Sequence, residues 1–198
     1  MSVGFIGTGA IGGAVAALLA ATGQTVVVSN SRGPASLQAK AAQLGATVTA
    51  GTTKQAAEAD VVFVSVPWSH VAAALGAVSD WSGKILVDTT NPLEAPTFRK
   101  AELGGRTSSE VVGSHAPGAR VVKAFNHLSP VSYADPRPLG GRRLLFMSGD
   151  DPTAKSAVLD LIEPTGFVAI DLGGLAEGGR LHEFPGGPLP ARNFVELA

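Results

Sequence analysis

The chain has no cysteine, which excludes disulfides, thiolate nucleophiles, iron–sulfur clusters and cysteine-bound zinc together. Charge is scarce as well: Asp, Glu, Lys and Arg make up 16% of the 198 residues and nearly cancel, leaving a formal net charge of −1. A surface built to hold nucleic acid or anionic lipid needs a basic excess, so neither is expected as a partner. The four histidines, His70, His115, His127 and His182, lie 45, 12 and 55 residues apart. That is far from the spacing of helical metal ligands, and no metal site is expected. Long charge-free apolar runs are lacking too. Val3 to Ala21 comes nearest, but it carries five glycines, has no basic leader and changes period part-way, as a strand turning into a helix does. The composition points to a cytoplasmic, soluble protein.

What is present is apolar and regularly spaced. Hydrophobic residues make up 45% of the chain, enough for the core of one ordinary domain. Short β-branched runs recur at Val3–Ile6, Thr25–Ser29, Thr47–Thr49, Val61–Val66, Lys84–Asp88, Arg120–Ala124, Arg143–Met147 and Val168–Asp171. Several are apolar on both faces, as a parallel sheet covered by helices requires. Amphipathic stretches at about Ile11–Ala21, Pro34–Leu44, Thr53–Glu58, His70–Val78, Ser108–Ser114 and Pro152–Glu163 alternate with them. This rhythm predicts an α/β fold: a Rossmann-type doubly wound, mostly parallel sheet of about eight strands with helices on both faces. Thr107 and Glu110 have capping-box spacing, and Asp151-Pro152 places an N-cap before a proline at the first helical position. From Gly173 onward, glycine pairs and prolines alternate with single apolar residues, which predicts a packed arm with little regular structure.

The first strand runs straight into Gly7-Thr8-Gly9-Ala10-Ile11-Gly12 and then a helix. In such a motif the first glycine permits the tight turn, the second lets a pyrophosphate approach the backbone, and the third lets helix and strand pack closely. The phosphates meet the free N–H groups and positive dipole end of the helix. Where the second strand ends, a site selective for NAD would carry Asp or Glu; this chain carries Asn30-Ser31-Arg32. Hydroxyls, an amide and a guanidinium suit the 2′-phosphate of NADP, which a carboxylate would repel. NADP(H) is the expected cofactor.

The other strand ends border the same crevice. Val66-Pro67-Trp68-Ser69-His70 follows the fourth strand; Pro67 could restrict the chain beside the dinucleotide, Trp68 could cover the site or pack in the core, and His70 could bind a phosphate or cap a helix. Asn91, in Asp88-Thr89-Thr90-Asn91-Pro92, is placed near the nicotinamide ribose or carboxamide, although Asn-Pro is also an ordinary turn signal. The sixth strand delivers Lys123-Ala124-Phe125-Asn126-His127. Either Lys123 or His127 is a proton donor, or Lys123 is structural, with Ala124 and Phe125 an apolar wall and Asn126 a positioning amide. Neither base has a carboxylate partner recognisable in the sequence, so no catalytic dyad is assigned. His115 and His182 fall in loop-like stretches.

Taken together, these residues resemble the NADPH-dependent reductases of the deazaflavin coenzyme F-420, a Rossmann group that also resembles the cytoplasmic reductase domain of the STEAP metalloreductases. The likeness rests on Gly7 to Gly12, Asn30-Ser31-Arg32, Val66-Pro67-Trp68-Ser69-His70 and Val122-Lys123-Ala124-Phe125-Asn126. It extends to Gly149-Asp150-Asp151, Asp171-Leu172-Gly173-Gly174-Leu175 and Arg180-Leu181. The resemblance implies hydride transfer between NADP(H) and a deazaflavin stacked on the nicotinamide, a reaction in which the cofactors carry the chemistry. It implies that Thr8 to Gly12 bind the pyrophosphate and that Ser31 and Arg32 bind the 2′-phosphate. Val66, Pro67 and His70 would hold the ribose–nicotinamide half, with Ala124, Phe125 and Asn126 close to the ring stack.

The tail departs from the family, being too rich in Gly and Pro for the helix expected there. The expected organisation is an NADP-binding domain over residues 1–172 and a C-terminal arm over 173–198 that completes the acceptor pocket or a homodimer interface. A flavin, a ferric chelate or a small imine could replace the deazaflavin as the small-molecule redox substrate without disturbing any nucleotide motif. An imine or carbonyl reductase would need a proton donor, and a non-catalytic NADPH sensor would keep the glycine loop and show no turnover.

Overall fold

The central strands of the sheet carry apolar residues on both faces, toward two different helical layers, and so build two cores from one sheet. The computed structural model describes residues 1–197; Ala198, the last residue of the expected arm, lies outside them. The first half runs β1 (Ser2–Ile6), α1 (Ala10–Ala21), β2 (Thr25–Ser29), α2 (Gln38–Leu44), β3 (Val48–Ala50), α3 (Thr53–Ala57), β4 (Val61–Val64) and α4 (Val71–Gly76). The second half runs β5 (Ile85–Asp88), β6 (Leu93–Glu94), β7 (Arg99–Lys100), α5 (Ser108–Ser114), β8 (Arg120–Ala124), β9 (Arg142–Gly149), α6 (Pro152–Ile162), β10 (Val168–Asp171), α7 (Gly178–His182) and β11 (Val195–Glu196).

The main sheet has the order β10-β9-β8-β5-β4-β1-β2-β3, with β11 added on β9 as a ninth strand. Val3, Phe5, Val61 and Phe63 face the core under α1 and α6, where the rings of Phe5 and Phe63 stack 4.6 Å apart. Ile6, Val62 and Val64 face the other core, with Leu75 of α4 and Val112 of α5. Helices therefore cover both faces, and the strands from β3 to β8 run parallel. Among the described residues no helix is long and apolar enough to cross a membrane.

All eight expected strands lie in this sheet, and three features lie outside the expectation. β9 runs antiparallel to β8. A parallel neighbour requires a crossover, usually a helix, and the link between them, with Pro130, Pro136 and Pro138, forms only short 3-10 turns. β6 and β7 form a separate two-stranded hairpin. The tail, expected to have little regular structure, contains α7 and β11. α7 forms despite its two glycines: the backbone N–H groups of Gly178 and Gly179 both reach the Gly174 carbonyl, and long-range bonds from Asn126 and Ser148 to His182, and from Ser108 to Glu183, hold it in place.

The helix starts differ in how their free N–H groups are met. Thr52 with Gln55 caps α3 and Thr107 with Glu110 caps α5, each as a complete capping box, while Asp151 accepts from Ala154 N–H at 2.7 Å to cap α6. α1, with 12 residues, starts at Gly9 with no side-chain cap and no acid in its first turn.

Candidate functional site

The three glycines of the first loop serve different ends. Gly7 sits at φ +98°, and a Cβ there would come 2.3 Å from the Ser65 carbonyl. A Cβ on Gly12 would come 2.5 Å from the Gly7 carbonyl. Both positions are glycine because the strand, the turn and the helix meet there. Gly9 is different: its φ is −66°, which any residue adopts, and a Cβ would meet nothing within 4 Å. The fold does not need glycine at that position. The space it leaves clear lies at the uncapped start of α1, where unpaired backbone donors and the helix dipole favour an anion.

That loop forms one wall of a cavity of about 420 Å³, lined also by Asn30, Ser31, Val66, Pro67 and His70. The cavity thus brings together eight of the sequence-predicted residues: Gly7, Thr8, Gly9, Asn30, Ser31, Val66, Pro67 and His70. Ala10, Ile11 and Gly12 follow directly in the first turn of α1. Asn30 shapes the β2 end internally: its Oδ1 accepts from Arg32 N–H at 2.9 Å, and its amide donates to Ser36 Oγ at 3.0 Å. Ser31 and Arg32 are left exposed beside the cavity. Sequence reasoning missed Thr53, Ser65 and the alanines Ala73, Ala74 and Ala77, which also line it. The Thr52–Gln55 capping box was a legible signal for the first, and the run of small residues, which leaves room beside α4, for the last.

The remaining predicted residues are placed otherwise. Asn91 and Asn126 are not in the cavity lining but clasp each other: Asn126 Nδ2 donates to Asn91 Oδ1 at 3.1 Å, and Asn91 Nδ2 donates to the Asn126 carbonyl at 2.8 Å. Both also hold the tail, because Asn126 Nδ2 donates to the His182 carbonyl at 2.6 Å and Asn91 Oδ1 accepts from Phe184 N–H at 3.0 Å. Ala124 is fully buried. Phe125, expected beside a ring stack, turns its ring inward between Phe63 and Tyr133, with centroids 5.7 and 5.9 Å away. Its φ is +58°, it is fully buried, and its carbonyl accepts from the Tyr133 hydroxyl at 2.6 Å.

Lys123 has the carboxylate partner that could not be identified from the sequence. Its fully buried ammonium donates to Ser108 Oγ at 2.9 Å and the Thr90 carbonyl at 3.1 Å, and pairs with Asp88 Oδ2 at 3.4 Å. Asp88 is satisfied in turn by Ser109 Oγ at 2.6 Å and by the N–H and hydroxyl of Thr90 at 2.8 and 2.7 Å. Neither group is free to exchange a proton with a substrate. His127 is buried against Phe146, makes no hydrogen bond of good geometry, and is pushed by burial down to about 4, against a weaker upward pull from the Leu144 backbone. His182, expected in a loop, is buried in α7, bonds Ser148 Oγ at 3.0 Å, and is pushed down to about 2 by burial and by the charge on Lys123. Burial opposes ionisation of Glu183, but Lys100 at 2.7 Å and Ser108 N–H at 2.6 Å outweigh it and hold its carboxyl below the ordinary value. A broader hollow of about 700 Å³ lies beyond Trp68, between α4, α5 and the β6–β7 hairpin, with Glu94, Glu102, Arg106 and His115 around it. It is larger than the cleft at the glycine loop and has mixed charge.

Comparison with known proteins gives this arrangement a context. Residues 2–92 match the family of coenzyme F-420-dependent NADP oxidoreductases. A hypothetical protein from Sinorhizobium meliloti of known structure is 43% identical, with a TM-score of 0.91, and the match covers 99% of this chain and 96% of that one. A crystal structure from an Arthrobacter species, described as a candidate F-420-dependent NADP reductase, is 30% identical with a TM-score of 0.76, covering 87% of this chain and 85% of that one. The metalloreductase STEAP3 of Rattus norvegicus is 31% identical over 96% of this chain, which spans 37% of that protein's length.

Proposed function

The chain belongs to the coenzyme F-420-dependent NADP oxidoreductase family, and we propose that it moves a hydride between NADP(H) and a flat deazaflavin or flavin-like acceptor stacked on the nicotinamide. It is an NADP-dependent oxidoreductase of mostly parallel Rossmann-like fold. The observation that carries the cofactor assignment is Gly9: the backbone is left bare at an uncapped helix end where nothing in the protein itself requires it. The diphosphate sits there, against the first turn of α1. Ser31 and Arg32 take the 2′-phosphate, the guanidinium supplying a charge-assisted contact. Val66, Pro67 and His70 hold the far half, with Asn91 and the backbone of Ala124, Phe125 and Asn126 at its edge.

The acceptor follows from what the site cannot do. Bound NADPH supplies the hydride, two electrons and one proton, and a deazaflavin or flavin takes its balancing proton from water. No protein acid is then needed. Reduction of an imine or carbonyl would call on a donor such as Lys123 or His127, and both are buried and held in place. The chain's own residues bind, orient and exclude water. The arm from Gly173 onward, pinned by Asn91 and Asn126, closes one side of the acceptor pocket.

The test is NADPH oxidation measured in parallel with a deazaflavin, free flavins, a ferric chelate and a cyclic imine, alongside cofactor binding by Arg32→Ala. Fastest turnover is expected with the deazaflavin or a flavin. Arg32→Ala should weaken NADPH by about 1.5–3 kcal/mol and leave NADH nearly untouched. Turnover of the imine alone would overturn the acceptor, and equal losses for both dinucleotides would overturn the role of Arg32.

A further inference from the structure

We propose that Lys40 is a positioning residue for the diphosphate, acting through the Thr8–Gly9 peptide; this rests on the dinucleotide reading above. Lys40 lies on α2, 32 residues from the loop it serves, and its ammonium donates to the Thr8 carbonyl. The lysine tip also passes 3.4 Å from where a Cβ on Gly13 would stand, so it runs over the first turn of α1 in space that glycine leaves. It does not line the cavity, whereas Thr8 and Gly9 do. Lys40 therefore holds the loop from behind.

Geometry turns that contact into a function. In a trans peptide the carbonyl and the following N–H point in opposite directions. With the Thr8 carbonyl fixed toward Lys40, the Gly9 N–H is turned to the opposite side, toward the open space at the cavity. Without the ammonium the nearly buried Thr8 carbonyl loses its partner, and the peptide is free to rotate and withdraw the donor. Charge acts in the same direction. Among the described residues Lys40 forms no ion pair with a carboxylate, so its positive charge stands unneutralised behind the site of an incoming anion. Arg32, by contrast, stands at the β2 end, where it meets only the 2′-phosphate.

Ligands that separate the two phosphate sites test this. The full chain, Lys40→Met, Lys40→Arg and Arg32→Ala are titrated calorimetrically with NADPH, NADH, ADP and 2′-AMP. Lys40→Met should raise Kd for NADPH, NADH and ADP by a common factor of about tenfold and leave 2′-AMP unchanged; Lys40→Arg, which still donates a charged hydrogen bond, should stay within about threefold of the parent. Arg32→Ala should show the complementary pattern, losing NADPH and 2′-AMP and keeping NADH and ADP. Should Lys40→Met not fold, Lys40→Gln, which also lacks the charge and is one bond shorter, carries the same test, and its loss for NADH and ADP should exceed that of Lys40→Arg. Unchanged binding of NADH and ADP by the uncharged variant overturns the proposal, as does a loss confined to NADPH and 2′-AMP. Failure of the parent protein to bind any of the four ligands sinks the dinucleotide reading itself, a distinct outcome.

Discussion

Around Gly9 the longest of the early helices begins with no side chain on its free N–H groups, whereas around Lys123, on β8 and three strands from β1 in the sheet order, each donor and acceptor of the ion pair is met by Ser108, Ser109 or Thr90. Both regions lie where strands of one parallel sheet end. One is lined by glycines, hydroxyls, Asn30 and His70, and the backbone donors at its helix start have no side-chain cap. The other is dense in Lys, Asp, His, Asn and Glu; its charged groups Lys123, Asp88 and Glu183 are each held by partners, while the His127 ring is buried without one. The contrast teaches that reactive residue types at a sheet edge do not mark the reacting site by themselves; uncapped backbone donors facing open space do.

The largest effect is expected from breaking the occupied region. Lys123→Met strands the Asp88 carboxylate in the interior, and should lower stability by about 3–5 kcal/mol, a fall of roughly 10 °C in Tm for a chain of this size. Adding Asp88→Asn should recover part of the loss, because the stranded charge is then gone. Differential scanning calorimetry of the two variants measures both, and NADPH affinity of the surviving fold should be unchanged. A Lys123→Met protein that melts normally but has lost turnover would erase the contrast, since the lysine would then be acting on substrate.

A smaller effect follows from acid. Folding holds His127 at about 4 and His182 at about 2, both below the ordinary 6.5. As pH falls below 6.5 the unfolded chain therefore takes up protons that the folded protein refuses. The stability these rings contribute is complete above that value and is lost progressively toward pH 4, at up to about 1.4 kcal/mol per pH unit for each histidine. Carboxylates held low, Glu183 among them, add their own loss only further down. Tm should drop between pH 7 and pH 5, and His182→Gln, which can still bond Ser148, should roughly halve the drop. The same drop in that variant would mean that the tail is not what feels the pH.

How far each region was legible follows from the range over which its residues act. β1, β2, β4, β5 and β8 announce themselves because runs such as Val61-Val62-Phe63-Val64 are apolar on both faces. The glycine loop is equally local: its turn, cavity wall and helix start all come from consecutive residues. The partner of Lys123 was hidden because Asp88 lies 35 residues away, although matching the ends of the apolar runs Ile85-Leu86-Val87-Asp88 and Val121-Val122-Lys123 would have paired them, as the sheet register does. α7 was illegible for a stronger reason. Gly178 and Gly179 disfavour a helix by about 1 kcal/mol each, and only contacts made after folding, to Asn126, Ser148 and Ser108, keep His182 and Glu183 where they are.

The smallest effect on stability should come from the residue on which the functional reading depends most. Gly9→Ala puts a methyl group into open space at a backbone angle alanine accepts, so folding should be unchanged or gain up to about 1 kcal/mol from the stiffer unfolded chain. Gly7→Ala and Gly12→Ala, which would drive a Cβ to 2.3 and 2.5 Å from backbone oxygens, should instead prevent the loop from closing. NADPH and NADH should both bind Gly9→Ala more weakly, by about tenfold or more, because the methyl stands where the diphosphate approaches the backbone. Thermal melts separate the two kinds of glycine, and titration with both dinucleotides shows what the bare one is for. A Gly9→Ala protein that binds them as tightly as the parent would leave the gap at α1 without a ligand, and with it the reason to look for the cofactor on this side of the sheet.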